Sequence, residues 1–172
     1  AHAQDSRFHL VLHAALCSAS EKAALTQWVE ELSLSSCVTF SQKRLSTTDL
    51  NRLYNACDIG INTASGEGWG LVGFEHAATG AAQIVPDNSV HGELWGDAPE
   101  CIRQTHPERP DYTFLEMKKP DADDAARALL RLADDSHRQS IAQQCQRQAR
   151  DQQVSWRDIA AQWTSQLQKV NE

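Results

Sequence analysis

Two carboxylates and the glycines between them carry the most chemistry in this chain. Glu67 and Glu75 stand eight positions apart, with Gly68, Gly70 and Gly73 between them. A glycine-rich turn feeding a helix N-terminus exposes N–H groups that have no intrahelical acceptor, together with the positive end of a dipole. Missing Cβ atoms let an anion approach that backbone. The stretch 66–87 therefore reads as an anion site, with Phe74 to Thr79 continuing as a helix that Gly80 stops. Along a helical rise the two acids are separated by at most roughly 12 Å, and they cannot meet as an i, i+4 pair would. They do not form an acid/base dyad. A carboxylate only accepts hydrogen bonds, so Glu67 in the turn and Glu75 in the early helix suit hydroxyls at the two ends of an elongated ligand, with phosphates between.

The same letters admit a second chemistry. Gly68-x-Gly70-x-x-Gly73 matches the dinucleotide fingerprint, and Asp87 follows about 20 residues later at a strand end, where a ribose-binding acid belongs. That fingerprint normally follows its strand at once, whereas Thr63 to Glu67 intervene here, and it leaves Glu67 and Glu75 without a role. Trp69 either fills the core or lines a ligand pocket. His76 reads as a packing or helix-surface residue. His91, in Val90-His91-Gly92-Glu93, is a contact candidate near the expected pocket mouth. His9 and His13 share one face of a strand without an acid at ligand spacing, so no metal site is expected.

Positioning these residues requires alternating strands and helices. Phe8 to His13 reads as a buried strand; Ser20 caps a helix whose inward face is Leu25, Trp28, Val29 and Leu32. Cys37 to Phe40 is a second strand. Ser46 and Asp49 resemble a capping box before a helix striped by Leu50, Leu53, Tyr54 and Cys57. Asp58 to Asn62 and Gln83 to Val85 are further strands. The alternation demands a parallel sheet with right-handed crossovers, and ligands then bind beyond the strand C-termini, at Ala64 to Trp69 and Asp87 to Trp95. Residues 97–120, with Pro99, Pro107, Pro110 and Pro120, read as loop with a short strand at Cys101-Ile102. Beyond them come helices: one started by Asp121, Asp123 and Asp124 with Ala125, Ala126, Leu129, Leu130 and Ala133 inward, and a last one striped by Trp156, Ile159, Ala160, Trp163, Leu167 and Val170.

A chain of 172 residues has the size of one domain, expected here as a Rossmann-like core over 1–119 and a helical C-terminal tail over 120–172. A net charge of −7 and scattered Lys and Arg argue against a nucleic-acid partner. Five cysteines, at 17, 37, 57, 101 and 145, lack C-x-x-C spacing and suggest reduced, mostly buried thiols. No run is long enough for a transmembrane segment and the start has no signal-peptide pattern, so a cytoplasmic location is expected.

Glu67, seven intervening residues and Glu75, with Gly-Trp-Gly after the first acid and Ala77-Ala78-Thr79-Gly80 after the second, resemble the E-x7-E motif of retaining GT-B fold glycosyltransferases, family 4 (group 1). Leu50, Leu53, Tyr54, Ala56 and Asp58 agree with that family's preceding helix and strand start, and Glu93 stands where it has a further acidic residue. The resemblance runs from about Phe8 to Trp163 and covers the C-terminal, donor-binding half. It implies a Rossmann-like parallel sheet with helices on both faces, one half of a GT-B fold. The implied donor is a nucleotide sugar, handled without a metal or other cofactor. Glu67 would then be the catalytic-site acid that meets the sugar hydroxyls. The backbone of Gly68, Trp69, Gly70 and Leu71 would meet sugar and diphosphate, and Glu75 would accept from the ribose diol. An N-terminal acceptor-binding domain of the parent chain is the implied partner. The family's basic "G-R-x-x-x-x-K-G" turn is not matched, so a non-catalytic nucleotide-binding or interaction module of the same fold is the alternative, and an NAD-binding Rossmann domain a lesser one.

Overall fold

Parallel strands come first, as the alternating pattern requires. The computed structural model describes residues 5–13, 18–88, 90–103, 105–109, 114, 116–151 and 155–170. Cys17, Pro110 and the side chain of Val170 lie outside the described residues. The chain divides into two compact units, Ala1–Cys57 and Asp58–Glu172.

In the first unit β1 (Leu10–His13) pairs in parallel with β2 (Val38–Ser41), Leu10 opposite Val38 and His13 opposite Ser41. His9 and His13 each bond a β2 hydroxyl, Nε2 to Thr39 Oγ1 at 2.8 Å and Nδ1 to Ser41 Oγ at 3.0 Å, which gives both rings a structural task. Helix α1 (Ala19–Glu31) is capped by Ser18 rather than Ser20: the Ser18 hydroxyl accepts from the Glu21 N–H and the Glu21 carboxylate accepts from the Ser18 N–H. The acid three residues after Ser18 decides the cap. Leu25 and Val29 are half-buried, but Trp28 and Leu32 are 59% and 67% exposed, contrary to the expected inward face. Leu32 is the C-cap, already off the helix, and Trp28 lies about 60° around the axis from Leu25. Helix α2 (Thr47–Asn55) starts at Ser46, whose hydroxyl accepts from the Asp49 N–H. The Asp49 side chain accepts from the Ser46 hydroxyl at 2.7 Å, a local variant of the capping box.

The second unit carries a three-stranded parallel sheet in the order β3 (Ile59–Ile61), β4 (Ala82–Pro86), β5 (Glu100–Ile102). Helix α3 (Leu71–Ala78) joins β3 to β4, and the short α4 (His91–Trp95) joins β4 to β5. Every residue of β4 is buried, as a central strand covered on both faces must be. Its Ile84 and Val85 pack with Phe74, Trp95 and Ile102 in the core. A hairpin follows where loop was expected: β6 (Thr105–Glu108) runs antiparallel to β7 (Met117–Pro120). Pro107 is tolerated because it faces Lys118, whose N–H and C=O bond outward to Ser65 and Asn88 and ask nothing of β6.

Three helices complete the unit: α5 (Ala122–Arg131), α6 (Asp135–Ala149) and α7 (Trp156–Val170). The buried face of α5 centres on Asp124, Ala125 and Ala128 and runs on to the C-cap Leu132, so Ala126 and Leu130, expected inward, are only half-buried. Asp121 caps this helix by accepting from the Asp124 N–H at 2.8 Å. On β5 the buried Glu100 takes Arg131 of α5 at 2.6 Å and His137 of α6 at 2.6 Å, tying both helices to the sheet edge. On α7, Trp156, Trp163 and Leu167 are exposed. No described helix is long and apolar enough to cross a membrane. The architecture is α/β with parallel sheets and a helical C-terminal end.

Candidate functional site

β3 and β4 are neighbours, so the segments leaving their C-terminal ends lie over one edge of the sheet. Asn62 continues the β3 ladder, its N–H bonding Ile84 O at 2.9 Å. Its side chain then shapes the loop. The amide oxygen accepts from the Ala64 N–H at 2.8 Å, an Asx-type turn, and the amide nitrogen donates to Glu67 Oε2 at 3.0 Å. One asparagine thus turns the chain and fixes the acid.

His91, at the start of α4, approaches the same oxygen, with Nε2 3.8 Å from Glu67 Oε2. Its side chain is 2% exposed while that of Glu67 is 31% exposed. Neither ring nitrogen of His91 has a hydrogen-bond partner among the described residues. Burial pushes this imidazole below its ordinary pKa, and the Glu67 charge pulls only partly the other way. Gly70 closes the cluster with φ 80°, in the left-handed region, and a Cβ there would stand 2.6 Å from Glu67 Oε2 and 3.3 Å from His91 Cε1. Only glycine fits.

Gly70 is also the N-cap of α3 and offers no side-chain acceptor, so the first N–H groups of the helix are left uncapped at the loop. Trp69, 36% exposed, packs its ring 5.9 Å from Phe74, which in turn lies 4.2 Å from the buried Trp95. That row anchors the loop to the core. Leu71 and Val72 begin the helix with exposed side chains. The buried Asn88 secures the far side, donating to Ala64 O at 3.0 Å and to Lys118 O at 2.9 Å, while the Lys118 N–H bonds Ser65 O at 3.2 Å. Hairpin and loop are thereby stitched together.

The expected residues fall as follows. Glu67, Gly68, Trp69, Gly70 and Leu71 form one continuous loop and helix start. Glu75 is exposed on α3, one turn beyond Leu71. Glu93 is exposed in the first turn of α4, and Asp87 is exposed at the end of β4. His76 is buried against the sheet, its Nδ1 crowding Gly60 beside the Gln83 side chain, which makes it a packing residue. Of the glycines 68, 70 and 73, only Gly70 is sterically obligatory, since a Cβ at Gly68 would meet nothing within 4 Å. Sequence reasoning missed Asn62 and Asn88. Their signal was position alone, an asparagine at the C-terminal end of each of two adjacent strands.

A family model described as glycosyl transferase-like matches residues 2–165. No curated protein matches the chain. Among solved structures, sucrose-phosphate synthase from Thermosynechococcus elongatus superposes with a TM-score of 0.73 at 19% identity, over 94% of this chain and 38% of that one. Anabaena HepE, solved with UDP-glucose, gives 0.70 at 20% identity, over 94% of this chain and 41% of that one. The C-terminal domain of a group 1 family glycosyl transferase, LpcC from Francisella tularensis, gives 0.64 at 18% identity, covering 88% of this chain and 72% of that one. The chain spans less than half the length of the first two. It belongs to the glycosyl transferase-like family and has the fold of group 1 GT-B glycosyltransferases.

Proposed function

We propose that the chain is the donor-binding half of a retaining glycosyltransferase, which transfers a sugar from a nucleotide sugar to an acceptor held by a second, N-terminal half. The observation that carries this reading is the cluster at the end of β3: a carboxylate fixed by Asn62, set beside the uncapped N-terminus of α3 across a glycine in the left-handed conformation. Glu67 accepts from sugar hydroxyls, and Glu75 accepts from the ribose diol. The N–H groups of Gly68 to Leu71 face the diphosphate. As the glycosidic bond breaks, negative charge grows on the departing diphosphate, and preset N–H dipoles stabilise it without reorganising. HepE, of the same fold, was solved with UDP-glucose, which supports a donor of that class. A dinucleotide site fits less well, because residues 62–70 separate β3 from α3 where a fingerprint needs an immediate turn.

The test is calorimetry with UDP-glucose, UDP-N-acetylglucosamine and GDP-mannose on the wild type and on Glu75→Ala. Loss of the charge-assisted bonds to the ribose weakens binding by roughly 1.5 to 3 kcal/mol. Equal binding by the two proteins refutes the role given to Glu75. One observation favours the module alternative: residues 62–76 contain no Lys or Arg to neutralise a diphosphate. On that reading binding persists, but no sugar is transferred when an acceptor half is supplied.

A further inference from the structure

His91 is a buried polar side chain of the site that the roles above leave unused. Both its nitrogens are buried, and neither has a hydrogen-bond partner among the described residues. A polar group held this way is costly, so a fold retains it where some state of the molecule satisfies it. Glu67 Oε2 stands 3.8 Å from the His91 Nε2, about 1 Å beyond a charge-assisted hydrogen bond. Asn62 already donates to that oxygen at 3.0 Å. Gly70 lies against both the carboxylate and the imidazole, and its missing Cβ removes the atom that would wedge them apart. A small rotation of Glu67 therefore closes the gap. A ligand that draws on the carboxylate supplies the reason for that rotation.

We propose that His91 is a positioning residue for Glu67: when a donor sugar seats, the imidazole donates from Nε2 to Oε2 and holds the carboxylate in its sugar-binding orientation. This rests on the donor-binding reading above and deepens it. The sugar is thereby distinguished from the bare nucleotide through a residue that itself stays buried. With burial keeping the ring neutral, it has one N–H to give, and the tautomer with the proton on Nε2 is the useful one.

The experiment measures binding of UDP-glucose, UDP-N-acetylglucosamine and GDP-mannose by the chain, each beside its own nucleoside diphosphate. Variants are His91→Leu, which keeps bulk without a donor, and His91→Gln, which keeps a donor amide. Circular dichroism and a melting curve establish that each variant is folded. His91→Leu is expected to lower affinity for the preferred nucleotide sugar about tenfold while leaving the nucleoside diphosphate unchanged. His91→Gln is expected to restore most of that loss. In a Glu67→Ala background the effect of His91→Leu disappears, since the acceptor it orients is gone. A folded His91→Leu that keeps wild-type sugar discrimination, or that weakens sugar nucleotide and nucleotide alike, overturns the role of His91 alone. A wild type that binds none of the three donors overturns the donor-binding reading and this inference together.

Discussion

Replacing Gly70 by alanine tests the geometry of the site at its tightest point. The residue sits at φ 80°, ψ 45°, where an L side chain costs roughly 1–2 kcal/mol from local sterics. Its new Cβ would also stand 2.6 Å from Glu67 Oε2, well inside van der Waals contact, so the carboxylate must move. Moving it lengthens the 3.0 Å bond from Asn62. A hydrogen bond to a charged group contributes about 1.5–3 kcal/mol, and the partial exposure of Glu67 places this one at the low end. The two costs together come to about 2.5–3.5 kcal/mol. Gly70→Asn separates them, because asparagine tolerates the left-handed conformation but brings the same Cβ. Gly68→Ala is the control: nothing lies within 4 Å of its Cβ, and its change should stay within about 0.5 kcal/mol. Urea denaturation reads all three. Stability of Gly70→Ala equal to that of Gly68→Ala would refute the claim that close backbone approach fixes Glu67.

Gly60→Ala places a Cβ 2.3 Å from Gln83 Oε1 and 2.7 Å from His76 Nδ1, both on buried residues, and overpacking of this kind should lower stability by about 1–3 kcal/mol in the same denaturation assay. The Glu100 knot carries an acid dependence: burial works against its charged form, but hydrogen bonds from Arg131 and His137 outweigh it and hold the carboxyl below its ordinary value. The stabilisation is therefore present above the unfolded pKa, about 4.3, and is lost as pH falls through the depressed folded value. Glu100→Gln should flatten the acid limb of a stability–pH curve. Cys145, fully buried with its thiol pushed up to about 11, should resist alkylation at pH 8 until the chain unfolds, as timed thiol labelling with and without denaturant would show.

Strand and helix alternation was legible because period and flanking residues agree: the β4 run Ala82 to Pro86 is apolar enough to be central, and Gly80, at φ 101°, ends α3 as its position suggested. What escaped sequence reading depended on tertiary partners. Pro107 and Pro120 marked a loop, yet a hairpin forms because Lys118 turns its backbone groups toward Ser65 and Asn88, a long-range arrangement that no local window contains. The α5 face shifted toward Asp124 because that acid is buried and accepts from the Arg103 N–H at 2.7 Å, which binary patterning assigns to solvent. At the site, the spacing of Glu67 and the glycines was readable. The amides that hold it were not, since an asparagine at a strand end looks like any turn residue.

Those amides also bear on how much catalysis the loop could supply. With no Lys or Arg between positions 62 and 76, a diphosphate over α3 would be stabilised within this segment by N–H groups and the helix dipole. The dipole alone is worth roughly 0.3–1 kcal/mol when exposed, reaching about 2 when partly buried. A well-aimed oxyanion donor is worth about 2.7–4, so orientation rather than net charge decides the outcome. Orientation is what the surroundings provide: Trp69 is anchored on Phe74, Gly70 takes the left-handed turn, and Asn62 and Asn88 bind the loop from its two sides. A segment without cations can act on a leaving anion only if it is this rigid, and the bonds that make it so come from β3, β4 and the hairpin rather than from the glycine motif itself.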